Sequence, residues 1–319
     1  MTPPPTLNQR AKALADLMET DAATLRLGVH RVGGARVLDC GVQADGGLQA
    51  GVCLARVCLA DLADVTLVPG DVDGVACPVV QVVTDQPVLA CMASQYAGWQ
   101  VQAGKFFAMG SGPMRAAYGK EALFEDIPGW EKPAVAVGVL ETRKLPTDEV
   151  VAHLAGQLQL PAEALTLLAA PASSLAGNVQ VVARSVETAL HKLHELKFDL
   201  GQVVSGWGAA PLPPVAAEKM SAIGRTNDAI LYGGRVVLWV RGDDEALAEV
   251  GPRVPSSASR DHGALFAEVF ERAGRDFYKI DPLLFSPAEL VLCNLKSGRC
   301  HRFGRLAPDV LRRSFFGDR

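Results

Sequence analysis

The chain has 319 residues, a formal net charge of −4, and 49% hydrophobic residues with a mean hydropathy of +0.17. That length exceeds what a single core usually reaches, roughly 250–300 residues, so two lobes are expected. Acidic and basic residues are interspersed and no basic stripe accompanies an aromatic platform, which argues against a nucleic-acid partner.

The apolar share points to an extensive subunit interface, with a very apolar interior as the alternative. The opening MTPPPTLNQR carries no apolar signal core, and the apolar run at Leu165–Ala170 is cut by Pro171. A cytoplasmic location without membrane contact is therefore expected. The seven cysteines are scattered and form no CxxC, so they read as reduced thiols, most of them small core residues.

In chain order, Leu7–Met18 has helical spacing and Arg36–Cys40 reads as a strand. Gly46–Gly51 reads as a turn, and Val52–Leu62 as a buried helix running into Ala63–Val68. Pro78–Val83 is a Val-rich strand, Val88–Trp99 a helix and Gly104–Gly112 a glycine-rich turn. Ala134–Leu140 is an apolar strand. Thr147–Gln157 is a helix with Glu149 and His153 outside, and Leu165–Ala170 is a further strand. The spacing then predicts one long helix from Ser173 to about Leu196. Residues 205–215 read as a loop, Thr226–Tyr232 as a helix, Arg235–Arg241 as a strand and Phe266–Arg275 as a helix. Leu290–Leu295 and His301–Gly304 read as a hairpin. Strands and helices mix without a regular βαβα period. The expected class is therefore mixed α/β (α+β-like) and not a Rossmann fold. The best break lies near Glu141–Thr147, giving lobes 1–145 and 146–319.

The long helix carries a polar stripe. Gln180, Arg184, Glu187, His191 and His194 step by four and three residues and so share one face. Val182, Val186, Leu190 and Leu193 lie opposite. The stripe is either a solvated face or the wall of a cleft. Glu187, His191 and His194 are ligand types, and a metal-dependent hydrolase is one alternative. The HExxH pattern is absent, however, and no metal is expected. Arg184, three residues before Glu187, can pair with it. Positive charge favours an ionised carboxylate and desolvation opposes it, and that balance sets whether Glu187 serves as a general base.

Several segments, taken in order, resemble the methenyltetrahydromethanopterin cyclohydrolase family. They are DCGV (Asp39–Val42), GGLQAG (Gly46–Gly51), TDQPVLACMASQYAGWQ (Thr84–Gln100), FFAMGSGPMRA (Phe106–Ala116) and QVVARSVETALHKLHEL (Gln180–Leu196). APLPP (Ala210–Pro214), GRTNDAILYGG (Gly224–Gly234), VPSSAS (Val254–Ser259) and DFYKIDPLLFSPA (Asp276–Ala288) continue the series. The resemblance implies two lobes with a ligand pocket between them, usually in a homotrimer. It implies reversible hydrolysis of the methenyl pterin to 5-formyltetrahydromethanopterin, with no cofactor beyond the pterin substrate itself. The family's catalytic arginine and glutamate fall on Arg184 and Glu187.

Further candidates follow from that resemblance. Lys105 precedes FFAMGSGP and can steer water or the substrate tail. Gln95, Tyr96 and Ser111 can line a pocket, where the glycines of the GSG turn let backbone approach a ligand. Arg115 can meet an anionic tail or simply pair with Glu121. Asn227 and Asp228 suit the pterin N–H and C=O groups, with a turn or cap as the alternative. A non-catalytic pterin-binding subunit is the reading from another class; loss of Arg184 or Glu187 would signal it, and both are present.

Overall fold

The computed structural model describes residues 4–276 and 279–317. Phe277 and Tyr278 of the DFYKIDPLLFSPA segment, and the first three residues of the opening segment, lie outside the described residues. In chain order, α1 (Leu7–Thr20) and α2 (Ala22–Leu25) precede β1 (Gly28–Val32), β2 (Ala35–Asp39) and α3 (Leu48–Cys58). Next come β3 (Asp64–Val68), β4 (Asp71–Val72), β5 (Val75–Ala76), β6 (Val79–Thr84) and a π-helix at Val88–Gln95. Strands β7 (Trp99–Ala103) and β8 (Phe106–Ser111) lead to α4 (Met114–Tyr118), α5 (Leu123–Asp126) and β9 (Ala136–Glu141). After α6 (Asp148–Leu158) and β10 (Leu165–Ala170) come α7 (Leu175–Val182), α8 (Ser185–Glu195) and β11 (Val203–Pro211). The chain continues through α9 (Lys219–Gly233), β12 (Arg235–Val240), α10 (Asp244–Val250) and α11 (Phe266–Arg272). It ends with β13 (Glu289–Asn294), β14 (Cys300–Gly304) and α12 (Pro308–Phe316).

Two compact units form, neither from one continuous stretch. The first comprises Met1–Ala63 and Leu89–Gln180, the second Asp64–Val88 and Val181–Arg319. The stretch Glu141–Thr147 lies within the first unit, between β9 and α6.

The first unit is built on a six-stranded sheet of order β1-β2-β10-β9-β8-β7. Its centre is parallel (β2 with β10, β10 with β9) and its flanks antiparallel. The central strands AVGVLE and LTLLAA are almost continuously apolar, as strands covered on both faces should be. On one face Val137, Val139, Leu168 and Ala170 pack with Ala11, Leu14, Leu54 and Val57 of α1 and α3. On the other, Ala136, Leu140, Leu165 and Leu167 pack with Val150, Val151 and Leu154 of α6 and Met114 of α4.

The second unit carries a six-stranded sheet of order β14-β13-β12-β11-β6-β3, antiparallel except between β12 and β13. Its strands alternate between buried and half-buried residues, the pattern of a sheet covered fully on one face. Helix α8 packs on β11 and β12. It approaches closely because β11 presents glycine there. A Cβ on Gly206 would lie 2.9 Å from Val186, and one on Gly208 would lie 2.8 Å from Val186 and collide with Ser185. The other face leaves Val83 exposed and Trp207, Val237, Trp239, Val291 and Cys293 half-buried.

The mixed α/β class is as expected, and neither sheet has the all-parallel order of a Rossmann fold. Several local expectations need correction. Residues 205–215 are not a loop, because β11 takes up Val203–Pro211 between β12 and β6; its glycines are there for the helix, not for a turn. Gly104–Gly112 is not one turn, since only Gly104–Lys105 turns and Phe106–Ser111 is β8. The helix expected over Val88–Trp99 stops at Gln95, and Trp99 begins β7. The turn expected at Gly46–Gly51 gives way at Leu48 to α3. The long helix from Ser173 is two helices, α7 and α8, broken at Ala183–Arg184. Neither residue is a helix breaker, so periodicity had nothing to detect there.

Candidate active site

The break between α7 and α8 sets the environment of the charged pair. Arg184 occupies the N-cap position of α8 with φ −96° and ψ 11°, and its carbonyl accepts from Thr188 at 2.9 Å. Glu187 is then the third residue of the helix, in the turn whose N–H groups have no helical partner and which favours negative charge. Arg184 Nη1 stands 3.9 Å from a Glu187 carboxylate oxygen, an ion-pair separation beyond direct hydrogen-bond range. The two residues are only 8% and 5% exposed, which rules out a solvated outer face for this part of the stripe. Ser185 and Val186, between them, lie on Gly206 and Gly208 of β11.

The rest of the stripe diverges. His191 pairs with Glu195 at 3.7 Å, and burial pushes its imidazole below the usual value despite Glu195. His194 is half-buried. Among the described residues, no three His, Cys, Asp or Glu side chains group so as to hold a metal ion, Glu187, His191 and His194 included. Lys192, between the histidines, is fully buried, and its ammonium donates to the Leu283 carbonyl.

Within the first unit, three polar side chains meet around Cys58 at the end of α3. Its thiol lies 3.2 Å from Ser111 Oγ, and Gln180 Nε2 donates to the sulfur at 3.5 Å. The Gln95 carbonyl lies 4.0 Å from the same sulfur, and Gln95 is fully buried. Ser94 Oγ donates to the Cys58 carbonyl at 2.8 Å, while Gly112 N donates to the Ser94 carbonyl at 2.9 Å. The π-helix explains how Ser94 and Gln95 come together here. Its wider turn, continued by Tyr96 N donating to the Cys91 carbonyl at 2.8 Å, brings this end of the segment onto α3 and the end of β8. Such π-turns concentrate at functional sites. Sequence reasoning missed Cys58 and Ser94, and an apolar context around Cys58 gave no signal for either.

Arg115 has the pairing expected as its alternative. It meets Glu121 at 2.7 Å, donates to the Met92 carbonyl at 2.8 Å and places its guanidinium 4.9 Å from the Tyr96 ring centre, with no exposed surface. Lys105 is exposed at the β7–β8 turn, at the opposite end of β8 from Ser111. Asn227 Nδ2 bonds the Ile223 carbonyl one turn back on α9 at 2.8 Å. The neighbouring Asp228 is 1% exposed and accepts from Phe266 N at 2.9 Å and Ser314 Oγ at 2.7 Å, tying α9 to α11 and α12. Burial pushes its carboxyl up to about 7, against the pull of those two hydrogen bonds.

Residues 6–315 match the family described as Cyclohydrolase (MCH). The chain belongs to this cyclohydrolase family. It is 47% identical over 316 residues to the methenyltetrahydromethanopterin cyclohydrolase of Rhodopirellula baltica, covering 98% of this chain and 95% of that protein. The protein of the same name from Methylobacterium sp. (strain 4-46) is also 47% identical, with 98% of each chain covered. That of Methanococcoides burtonii is 42% identical over 284 residues, covering 88% of this chain and 89% of that protein. Among the described residues of this cyclohydrolase-family chain, no helix is long and apolar enough to cross a membrane.

Proposed function

We propose that this chain reversibly hydrolyses 5,10-methenyltetrahydromethanopterin to 5-formyltetrahydromethanopterin in one-carbon metabolism. The observation that carries the reading is the buried Arg184–Glu187 pair in the first turn of α8, in a chain of the cyclohydrolase family. The methenyl carbon lies between two nitrogens that share a positive charge and is already electrophilic. The protein's task is to deliver water to it. The Glu187 carboxylate takes a proton from that water as its oxygen bonds to the carbon. The carbon–N10 bond then breaks as N10 takes that proton, the hydroxyl on the carbon gives its own proton to solvent, and the carbon remains on N5 as a formyl group. The cationic substrate and water thus give a neutral formyl product and one released proton, without a redox step or a further cofactor. Arg184 orients Glu187 and offsets its charge until the cationic substrate arrives. Holding the water in place supplies a further part of the acceleration.

Substrate contacts are assigned to Gln95, Ser111 and the Tyr96 ring, with Asn227 offering its amide. Arg115 acts by holding Tyr96, and Asp228 by holding α9. Lys105, exposed on its turn, suits the polar tail of the substrate better than the reacting carbon. A cytoplasmic location and a homo-oligomer, a trimer on the family resemblance, complete the reading; the half-buried Val and Trp residues of the second sheet's open face support the assembly.

The test is spectrophotometric. Absorbance of the methenyl pterin falls on adding the protein, and falls faster for the tetrahydromethanopterin form than for the tetrahydrofolate form. No decay with either would overturn the assignment.

A further inference from the structure

The β13–β14 hairpin brings two thiols face to face. Cys293 and Cys300 are direct partners in the antiparallel register, and their sulfurs lie 3.1 Å apart as free thiols. Asn294 N donates to the Arg299 carbonyl at 2.8 Å. Hydrogen-bonded and non-hydrogen-bonded pairs alternate along such a ladder, so the adjacent Cys293–Cys300 pair is of the second kind, with Cα atoms typically about 4.5 Å apart. That separation falls in the range a disulfide spans, about 4.4–6.8 Å. Cys300 is exposed and Cys293 half-buried, whereas Cys40, Cys58, Cys77 and Cys91 are buried.

We propose that Cys293 and Cys300 form a thiol modification site, which exchanges with a small organic disulfide such as oxidised glutathione and closes into a cross-strand disulfide. The exposed Cys300 thiolate attacks one sulfur of the small disulfide, forming a mixed disulfide and expelling one small thiolate. The Cys293 thiolate then attacks the Cys300 sulfur, forming the Cys293–Cys300 bond and expelling the second small thiolate. The two protons of the protein thiols pass through solvent to the two departing thiolates. The protein pair is oxidised by two electrons and the small disulfide is reduced by two. Burial pushes the Cys293 thiol up to about 11, which fits Cys300 as the first to react.

The consequence is local. The turn between the cysteines converges on Asp244 of α10, with Asn294 Nδ2 at 2.8 Å and Ser297 Oγ at 2.9 Å, and His301 Nε2 joins at 3.1 Å. Closing the disulfide staples the base of that turn. Trp239, the register partner of Cys293 on β12, lies beside the new bond and reports it through its fluorescence.

The experiment is incubation of the folded protein with oxidised glutathione, followed by thiol counting and tryptic peptide mapping without reductant. Trypsin cuts after Lys296 and Arg299 and so separates the two cysteines unless their sulfurs are joined. The expected result is loss of two thiols, peptides bearing Cys293 and Cys300 joined, no glutathione retained, and full reversal by dithiothreitol. In Cys293→Ser, glutathione stays on Cys300. Seven persisting thiols, a joined pair elsewhere, or wild-type protein that keeps glutathione on Cys300 beside a free Cys293 would each overturn the proposal.

Discussion

The two ends of α8 show opposite treatments of charge. At its first turn Arg184 and Glu187 bring a cation and an anion together out of solvent, with the glutamate where exposed helix N–H groups favour it. Two turns on, Lys192 is buried among the packing residues of the second unit with its ammonium on one backbone carbonyl, and burial pushes its pKa down to about 8. The carboxylate end sits where its charge can be used, while the lysine end carries a charge that packing opposes. One helix thus joins a candidate reacting group to a scaffold.

The largest expected effect breaks the chemical end alone. Glu187→Gln preserves shape and removes the base, and should lower kcat by about 10²–10⁴-fold. Circular dichroism and the thermal midpoint should stay near wild type. Near-normal turnover in the folded variant would remove Glu187 from the mechanism.

A smaller effect should follow from disturbing what the first turn rests on. Gly208→Ala places a methyl group against Ser185 and within 2.8 Å of Val186, so α8 must lift from β11. Overpacking of this kind costs about 1–3 kcal/mol of stability. Because the lifted turn carries Glu187, kcat should fall as well, although no reacting group has changed. A stable, fully active Gly208→Ala protein would show that the close seat does not position the pair.

The sequence made parts of this arrangement readable and hid others for physical reasons. The apolar runs at Ala134–Leu140 and Leu165–Ala170 announced strands, and they are so continuously apolar because both faces of that sheet are covered. Arg184 and Glu187 emerged from helical spacing and family resemblance, and their three-residue separation survives on the structure because both belong to the start of α8. The break at Ala183–Arg184 was hidden because neither a glycine nor a proline marks it. The glycines of β11 misled in the other direction: loop-forming composition there serves the close approach of a helix. Lys192 drew no attention between its two histidines, because a lysine buried by the packing around it leaves no mark in local pattern.

The smallest effect concerns that lysine and is best read as a pH dependence. Desolvation is the main cause of its lowered pKa; Asp281 opposes the shift and Arg253 adds to it. Its unfolded pKa is about 10.4. The folded state therefore binds fewer protons than the unfolded state between pH 8 and about 10.4, and lysine-linked stability rises with pH across that window. Below about 8 the penalty for holding the charge is fully present, and above about 10.4 it is gone. Lys192→Met removes the titration but also leaves the Leu283 carbonyl without its donor, so the absolute stability change mixes two opposing effects. The lost hydrogen bond is largely independent of pH, and the titration is not. The stability of wild type relative to Lys192→Met should therefore improve by about 1–3 kcal/mol between pH 7 and pH 10.4. Denaturant melts of both proteins at the two pH values measure it. A gap that does not change with pH would mean the lysine holds its proton in the folded state as readily as in water, and the contrast between the two ends of α8 would disappear.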